Sequence, residues 1–281
     1  MSPYCYLNGD MVALEDAKIS VLDRGFIFGE GIYEVIPIMK GRPFFLNDHL
    51  ERLSANLVDA RINNPHTFFE WKNLISSLTE INKIKNCKLY IQVTRGAFER
   101  NHGYPSTSSV PTVFAMTSPL TLAQRPTSLK AVTLLDDRWE RCKIKNTSLY
   151  ANTQLKSHAH LLGADEALLH KHGFITEGAS SSVFFVVEKN IVLTPPLSQN
   201  ILPGITRKVV LMLLKKLKLK YSESKVSLKD ARGAKEIWLA SSSNGISCVK
   251  DLDCVVIGDG MSFPVATRVY KTLIEMMSSK S

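Results

Sequence analysis

Basic residues alternate with apolar ones at Arg141-Cys142-Lys143-Ile144-Lys145. This spacing reads as a strand, with Cys142 and Ile144 on one face and three cations on the other. On a solvent face such residues do nothing further. In a cleft, mutual repulsion and desolvation would lower an ammonium pKa and make Lys145 a nucleophilic amine. Spacing alone leaves both readings open. Glu177 is a lone carboxylate among small residues, Thr176-Glu177-Gly178-Ala179-Ser180-Ser181-Ser182, where a ligand can approach closely or where a plain surface loop can run. Two turns suit anions. In Leu202-Pro203-Gly204-Ile205-Thr206-Arg207, a glycine precedes a helical pattern, so the amides of Ile205 and Thr206 stand at a helix N-terminus. Ser241-Ser242-Ser243-Asn244-Gly245 is a second, hydroxyl-rich turn. Each is equally readable as a cap or a loop.

Other chemistries lack their residues. There is no Walker A loop, G-x-S-x-G or H-E-x-x-H, and Gly29-Glu30-Gly31 lacks the third glycine of a dinucleotide loop. His158 and His160 would diverge on a helix, so no metal site is expected. Five cysteines without CxxC imply neither a disulfide framework nor a zinc site, and a reducing cytoplasm fits best. The N-terminus has no signal pattern and no apolar run approaches a membrane span. The net charge of +9 is concentrated near Lys215, Lys216, Lys218 and Lys220. These lysines interleave with leucines at helical spacing. The pattern favours the solvated face of an amphipathic helix over a nucleic-acid stripe, and no RNP-like strand or zinc-finger spacing supports the latter.

These residues need elements to hold them. With 281 residues, 44% apolar and 22% charged, the chain is an ordinary globular protein of one large or two ordinary domains. Strands are expected at 4–7 and 10–14 around the Asn8-Gly9 turn, at 31–39, 43–46, 88–94 and 110–117. Helices are expected from Asn47 or Asp48 through Leu57 and over 68–81. The stretch 119–128 reads as a linker. Beyond it come a strand at 130–135, a helix at 148–162 and a hairpin-like pair at 166–170 and 182–187. A strand at 191–194, the Lys-rich helix, a strand at 236–240 and a helix at 264–278 complete the chain. The resulting fold class is α+β or mixed α/β in two lobes, without strict βαβ alternation. The expected domains are a small N-terminal α/β domain (1–118), an interdomain linker (119–128) and a larger C-terminal domain (129–281) carrying Lys145.

In order, five blocks resemble the fold-type IV pyridoxal-phosphate enzymes, the class IV aminotransferases. They are LDRGFIFGEGIYEV (22–35), DHLERL (48–53), GADEA (163–167), FITEG (174–178) and LPGITR (202–207). The resemblance spans nearly the whole chain and implies that family's two-domain fold and pyridoxal 5′-phosphate as cofactor. Lys145 then matches the lysine that holds the cofactor aldehyde as a Schiff base and shuttles a proton. Glu177 matches the carboxylate facing the pyridine nitrogen. Arg52 matches the phosphate-binding arginine. Ile205 and Thr206 match the phosphate cup, Ser241 and Ser242 the second phosphate turn, and Leu202 the residue packed on the ring.

Arg95-Gly96-Ala97-Phe98-Glu99-Arg100-Asn101-His102 resembles the R-x-H carboxylate trap of D-amino-acid aminotransferases, in which Arg100, His102 and Tyr33 would hold the substrate carboxylate. The resemblance implies a homodimer with shared active sites. It would transfer the amino group of D-alanine to 2-oxoglutarate by a ping-pong route. Aminodeoxychorismate lyase and branched-chain L-amino-acid aminotransferase are the alternatives within the family. One departure concerns the lysine's flanks. Transaminases of this kind often have an acidic residue two before the lysine and Ser-Leu-Asn after it. Here Lys143 and Asn146-Thr147-Ser148 stand in those places, which bears on the substrate more than on the cofactor.

Overall fold

A computed structural model describes residues 3–105 and 110–278. The chain divides into two compact units, Met1–Thr121 with Ile144–Ser148, and Leu122–Lys143 with Leu149–Ser281.

The first unit holds β1 (Tyr4–Leu7), β2 (Asp10–Ala13), α1 (Arg24–Phe28), β3 (Gly31–Met39), β4 (Arg42–Pro43), α2 (Leu46–Asp59), α3 (Phe68–Ile81), β5 (Cys87–Thr94) and β6 (Thr112–Pro119). Its six strands form an antiparallel sheet in the order β2-β1-β6-β5-β3-β4. The alternation expected in β5 is present. Cys87, Leu89, Ile91 and Val93 are buried in one core with Ile32, Ile36 and Ile38 of β3 and Leu50, Leu53 and Leu57 of α2. Period-2 side chains leave Lys88, Tyr90 and Gln92 on the other face, in register with Pro37, Val35 and Tyr33. Thr67 and Glu70 form a reciprocal capping box that starts α3.

The second unit holds β7 (Thr127–Leu135), α4 (Tyr150–Leu161), β8 (Glu166–Lys171), β9 (Phe174–Gly178), β10 (Ser182–Val186), β11 (Val192–Thr194), α5 (Ile205–Lys216), β12 (Tyr221–Glu223), α6 (Leu228–Arg232), β13 (Glu236–Ser241), β14 (Gly245–Leu252), β15 (Val255–Val256) and α7 (Pro264–Ser278). Its nine strands form a mixed sheet in the order β12-β11-β10-β13-β14-β7-β8-β9, with β15 beside β14. In α5, Val209, Val210, Leu213 and Leu214 are buried and Lys215 and Lys216 are exposed, the amphipathic helix its leucine spacing predicts. Among the described residues, no helix is long and apolar enough to cross a membrane, and no group of three His, Cys, Asp or Glu could hold a metal ion.

Three local expectations are corrected. Residues 166–170 pair with β9, not with 182–187, which pairs with β13. Every residue of β10 is buried, so its apolar run gives no period to assign a partner by. Thr127 and Ser128, placed in the linker, open β7 and pair with Ser247 and Cys248. Residues 141–145 are a turn and not a strand, although Cys142 and Ile144 are buried as the alternation required.

Candidate active site

In the first unit, α2 presents a polar stripe at helical spacing, His49, Arg52 and Asn56, all buried. Glu34 meets it from the helix-covered face of β3, where an unpaired carboxylate would be costly. Arg52 Nε and Nη2 donate to Glu34 Oε1 and Oε2 at 2.7 and 2.9 Å, and His49 Nδ1 donates to Oε2 at 2.7 Å. Burial opposes ionisation of Glu34. The Arg52 charge and the hydrogen bonds from His49 and Arg52 overcome it, holding the carboxyl at about 2. The guanidinium of Arg52 is thereby held along its Nε–Nη2 edge.

Asn56, one turn on, takes the backbone of the candidate lysine: Lys145 N donates to Asn56 Oδ1 at 2.6 Å. The Lys145 carbonyl accepts from Tyr33 N at 3.0 Å, and Thr147 N donates to Gly31 O at 2.9 Å. Thr147 Oγ1 and Ser148 Oγ both donate to Gly29 O at 3.0 Å. Gly31 is required by this approach, since a Cβ there would stand 2.8 Å from Thr147 Oγ1. The Asn146-Thr147-Ser148 departure therefore has a local function: it stitches the lysine segment to the start of β3. Ile144 anchors the segment from the core. The Lys145 ammonium sits 4.2 Å from the centre of the Tyr33 ring, which stacks on Tyr90 with centroids 5.7 Å apart. Tyr90 in turn donates to Gln92 Oε1 at 2.7 Å.

Arg100 and His102 are exposed and gather on one ring. The Arg100 guanidinium lies 5.5 Å from the Phe28 centroid, and the His102 ring lies at 5.5 Å from the same centroid. Among the described residues, neither makes a hydrogen bond, ion pair or ring contact with Tyr33 or Lys145.

In the second unit, Glu177 near the end of β9 is buried and held at both oxygens. Arg138 Nη1 donates to Oε1 at 2.8 Å and Leu202 N to Oε2 at 3.2 Å. Arg138 spends the rest of its fork elsewhere: Nε and Nη2 donate to Asp136 at 2.9 Å each, and Nη2 also reaches Asn200 O at 3.1 Å. Thr176 Oγ1 donates to Asp136 at 2.7 Å. Burial pushes the Glu177 carboxyl up to about 7, against the pull of Arg138 and the hydrogen bonds it receives. Burial opposes ionisation of Asp136 too, but Arg138 holds its carboxyl below the usual range. The two buried glutamates thus differ in how much cation each commands. Glu34 has three donors from two basic side chains, whereas Glu177 shares one arginine with an aspartate.

The two anion turns lie in this unit as well. Helix α5 starts at Ile205 after Gly204, and among the described residues no side chain caps it. Gly204 is packed so closely that a Cβ would stand 2.9 Å from Ser182 Oγ. Thr206 Oγ1 and Ser242 Oγ are 3.4 Å apart, so the two turns meet at their hydroxyls. Ser241 Oγ lies 3.3 Å from Ser243 Oγ and accepts from Asn244 N. Ser181 Oγ is buried, without a hydrogen-bond partner among the described residues. Arg207 points away, donating to Pro195 O and Glu223 at 2.9 and 2.7 Å.

Glu34, His49, Asp136 and Arg138 carried no role in the sequence reading. A charge inside the apolar run 31–39 was a signal for Glu34, and the i, i+3 spacing of His49 and Arg52 a signal for its partners. Arg138 and Glu177 are 39 residues apart and offered no such cue.

In the second unit, the helix start at Ile205 with the Thr206 and Ser242 hydroxyls is suited to a phosphate, and the buried Glu177 is a carboxylate suited to a ring nitrogen. In the first unit, the Lys145 amine is of a type suited to a carbonyl. A family profile described as "Amino-transferase class IV" matches residues 31–252. The D-alanine aminotransferase of Bacillus licheniformis is 34% identical over 276 residues, covering 98% of this chain and 97% of that protein. A branched-chain amino acid aminotransferase of Escherichia coli superposes with a TM-score of 0.91 at 22% identity, over 99% of this chain and 95% of that one. A putative 4-amino-4-deoxychorismate lyase from Legionella pneumophila reaches 0.83 at 22% identity, over 94% and 97%. The chain belongs to the class IV aminotransferases, with the mixed α/β two-domain architecture of fold type IV, and is a pyridoxal-phosphate-dependent aminotransferase.

Proposed function

We propose that the enzyme transfers the amino group of D-amino acids, converting D-alanine and 2-oxoglutarate to pyruvate and D-glutamate by a ping-pong route. The observation that carries this reading is the exposed pair Arg100 and His102, an arginine and an imidazole gathered on Phe28. Their identities suit a carboxylate, and D-alanine aminotransferases of Staphylococcus and Bacillus share 31–34% identity with this protein along nearly the whole chain. The likeness to the class IV aminotransferases supports a homodimer in which each protomer lends Arg100 and His102 to its partner's lysine.

Bound pyridoxal phosphate supplies the aldehyde that takes up the amine and the ring that accepts electrons from Cα. The protein's own groups do the rest. Lys145 would hold the cofactor and, once released by substrate, would move a proton between Cα and the cofactor carbon that carried the aldehyde. Its backbone is pinned by Asn56 and Tyr33, so the amine pivots on a fixed base. Glu177 would face the ring nitrogen and keep it protonated, with Arg138 setting the carboxylate's orientation. Arg52, oriented by Glu34, and the Ile205, Thr206, Ser241 and Ser242 turns would be the phosphate ligands, and Leu202 would pack on the ring. Tyr33 joins Arg100 and His102 around the substrate carboxylate.

The test is incubation with D-alanine and 2-oxoglutarate followed by chiral separation. D-glutamate and pyruvate in equal amounts are expected. Their absence overturns the D-specific reading. Glutamate from L-leucine would instead mark a branched-chain enzyme, and pyruvate from aminodeoxychorismate a lyase.

A further inference from the structure

The block 22–35 is the longest stretch of family resemblance, yet the chemistry above uses only its last residues. Its first half builds something else. Asp23, buried, caps α1 by accepting from Gly25 N at 2.8 Å, and it also accepts from Thr94 and Thr112 at 3.0 and 2.6 Å. With α1 so fixed, the Arg24 guanidinium, 1% exposed, is gripped on every side. Nε and Nη2 donate to the two oxygens of Glu30 at 2.8 Å each, and Nη1 donates to Asn101 O at 2.6 Å. Asn101 is the residue between Arg100 and His102.

Glu30 is shared. Arg95 Nε also donates to it at 2.6 Å, and the rest of that fork holds Arg61 O and Ala60 O, the carbonyls just past α2, at 2.7 and 2.8 Å. Two rings complete the set. Tyr104 lies under Arg95 at 4.4 Å and Arg61 at 5.9 Å. Phe28 lies under Arg24 at 4.7 Å and under Arg100 at 5.5 Å, with His102 against it. Backbone bonds from Arg24 N to Gly96 O and from Phe98 N to Leu22 O close the lower part of the loop.

We infer that Arg24, Glu30, Arg95, Phe28 and Tyr104 form a positioning frame for the loop 95–104, whose task is to hold Arg100 and His102 in the geometry that receives a carboxylate. The inference rests on the carboxylate reading of those two residues given above. Residues 99–104 are exposed and the loop carries Gly96 and Gly103, so on its own it would sample many conformations. Ordering backbone costs about 1–2 kcal/mol per residue. The frame meets that cost during folding, before substrate arrives. None of the frame residues needs to touch the substrate.

The experiment compares Phe28→Leu, Tyr104→Ala and Arg100→Ala in the cofactor-loaded enzyme. Tyr104 is 59% exposed, so its replacement keeps the test alive should Phe28→Leu fail to fold. For both frame variants we expect KM for D-alanine and for 2-oxoglutarate to rise about tenfold, the size of a lost contact of ~1.4 kcal/mol. We expect kcat, the cofactor dissociation constant and the visible spectrum to stay within twofold of the parent. Unchanged KM in folded frame variants, with KM raised in Arg100→Ala, overturns the frame and leaves the carboxylate reading standing. Unchanged KM in Arg100→Ala overturns that reading and the frame with it. Equal losses in KM and cofactor binding show general loosening and also overturn the frame.

Discussion

Glu177 offers a direct test of what burial does in this site. An ordinary glutamate carboxyl titrates near 4.5, and burial raises this one to about 7. In the cofactor-free protein the folded state therefore holds a proton that the unfolded state has released between those values. Stability must fall as pH rises through that window, at about 1.4 kcal/mol per pH unit, or roughly 3 kcal/mol in all. Glu177→Gln cannot titrate. It pays a separate, pH-independent cost of about 1–3 kcal/mol, because its amide nitrogen must face either Arg138 or the Leu202 amide, both donors. The prediction is therefore a slope. Wild type and variant are unfolded in urea after cofactor removal, at pH values from 4.5 to 8. The difference should shift by about 3 kcal/mol in favour of the variant as pH rises, and level off above about 7. A flat difference, or a shift toward wild type, would mean that Arg138 outweighs burial at Glu177, and the reasoning above would fail.

Glu34 should behave in the opposite sense. Its carboxyl is held at about 2, so the stability it contributes is present above 4.5 and is lost as pH falls toward 2. Acid unfolding of Glu34→Gln should lack a dependence worth about 3 kcal/mol that wild type shows. Arg138→Ala leaves two buried carboxylates without their shared cation, and should cost about 3–5 kcal/mol by denaturant unfolding along with weaker cofactor binding. Gly204→Ala places a methyl 2.9 Å from Ser182 Oγ, so cofactor affinity should drop about tenfold (~1.4 kcal/mol), with partial recovery in Gly204→Ala/Ser182→Ala read by fluorescence titration. Lys145→Ala should abolish the visible absorbance of the bound cofactor while leaving the circular dichroism unchanged.

The parts of this molecule that could be read from sequence are those whose cause is local. The β5 alternation, the Asn8-Gly9 turn and the glycine before Ile205 each act over a few residues. The burial of Cys142 and Ile144 followed from their spacing, but the strand did not. Their segment turns back to meet β3 and α2, and only that long-range pairing decides its backbone. The same holds for β9. Its partner β8 was visible, but five buried residues in β10 could equally have belonged beside it. Charged networks were the least legible. Glu34 looked like one more residue in an apolar run until α2 supplied His49 and Arg52. Arg138 and Asp136 sat in an unremarked polar stretch because their partner Glu177 comes from a different strand.

The return of residues Ile144–Ser148 to the first unit has a consequence for how the protein can be divided. The lysine is encoded between two stretches of the second unit, but its support is Asn56, Tyr33 and Gly31. A fragment ending at Thr121 would lack the segment that Asn56, Tyr33 and Gly31 hold. A fragment beginning at Leu122 would carry the amine on a strap with nothing to fasten to. Neither half expressed alone can hold the lysine in place. A split version of the enzyme should regain it only where the cut spares the strap and both pieces are present together.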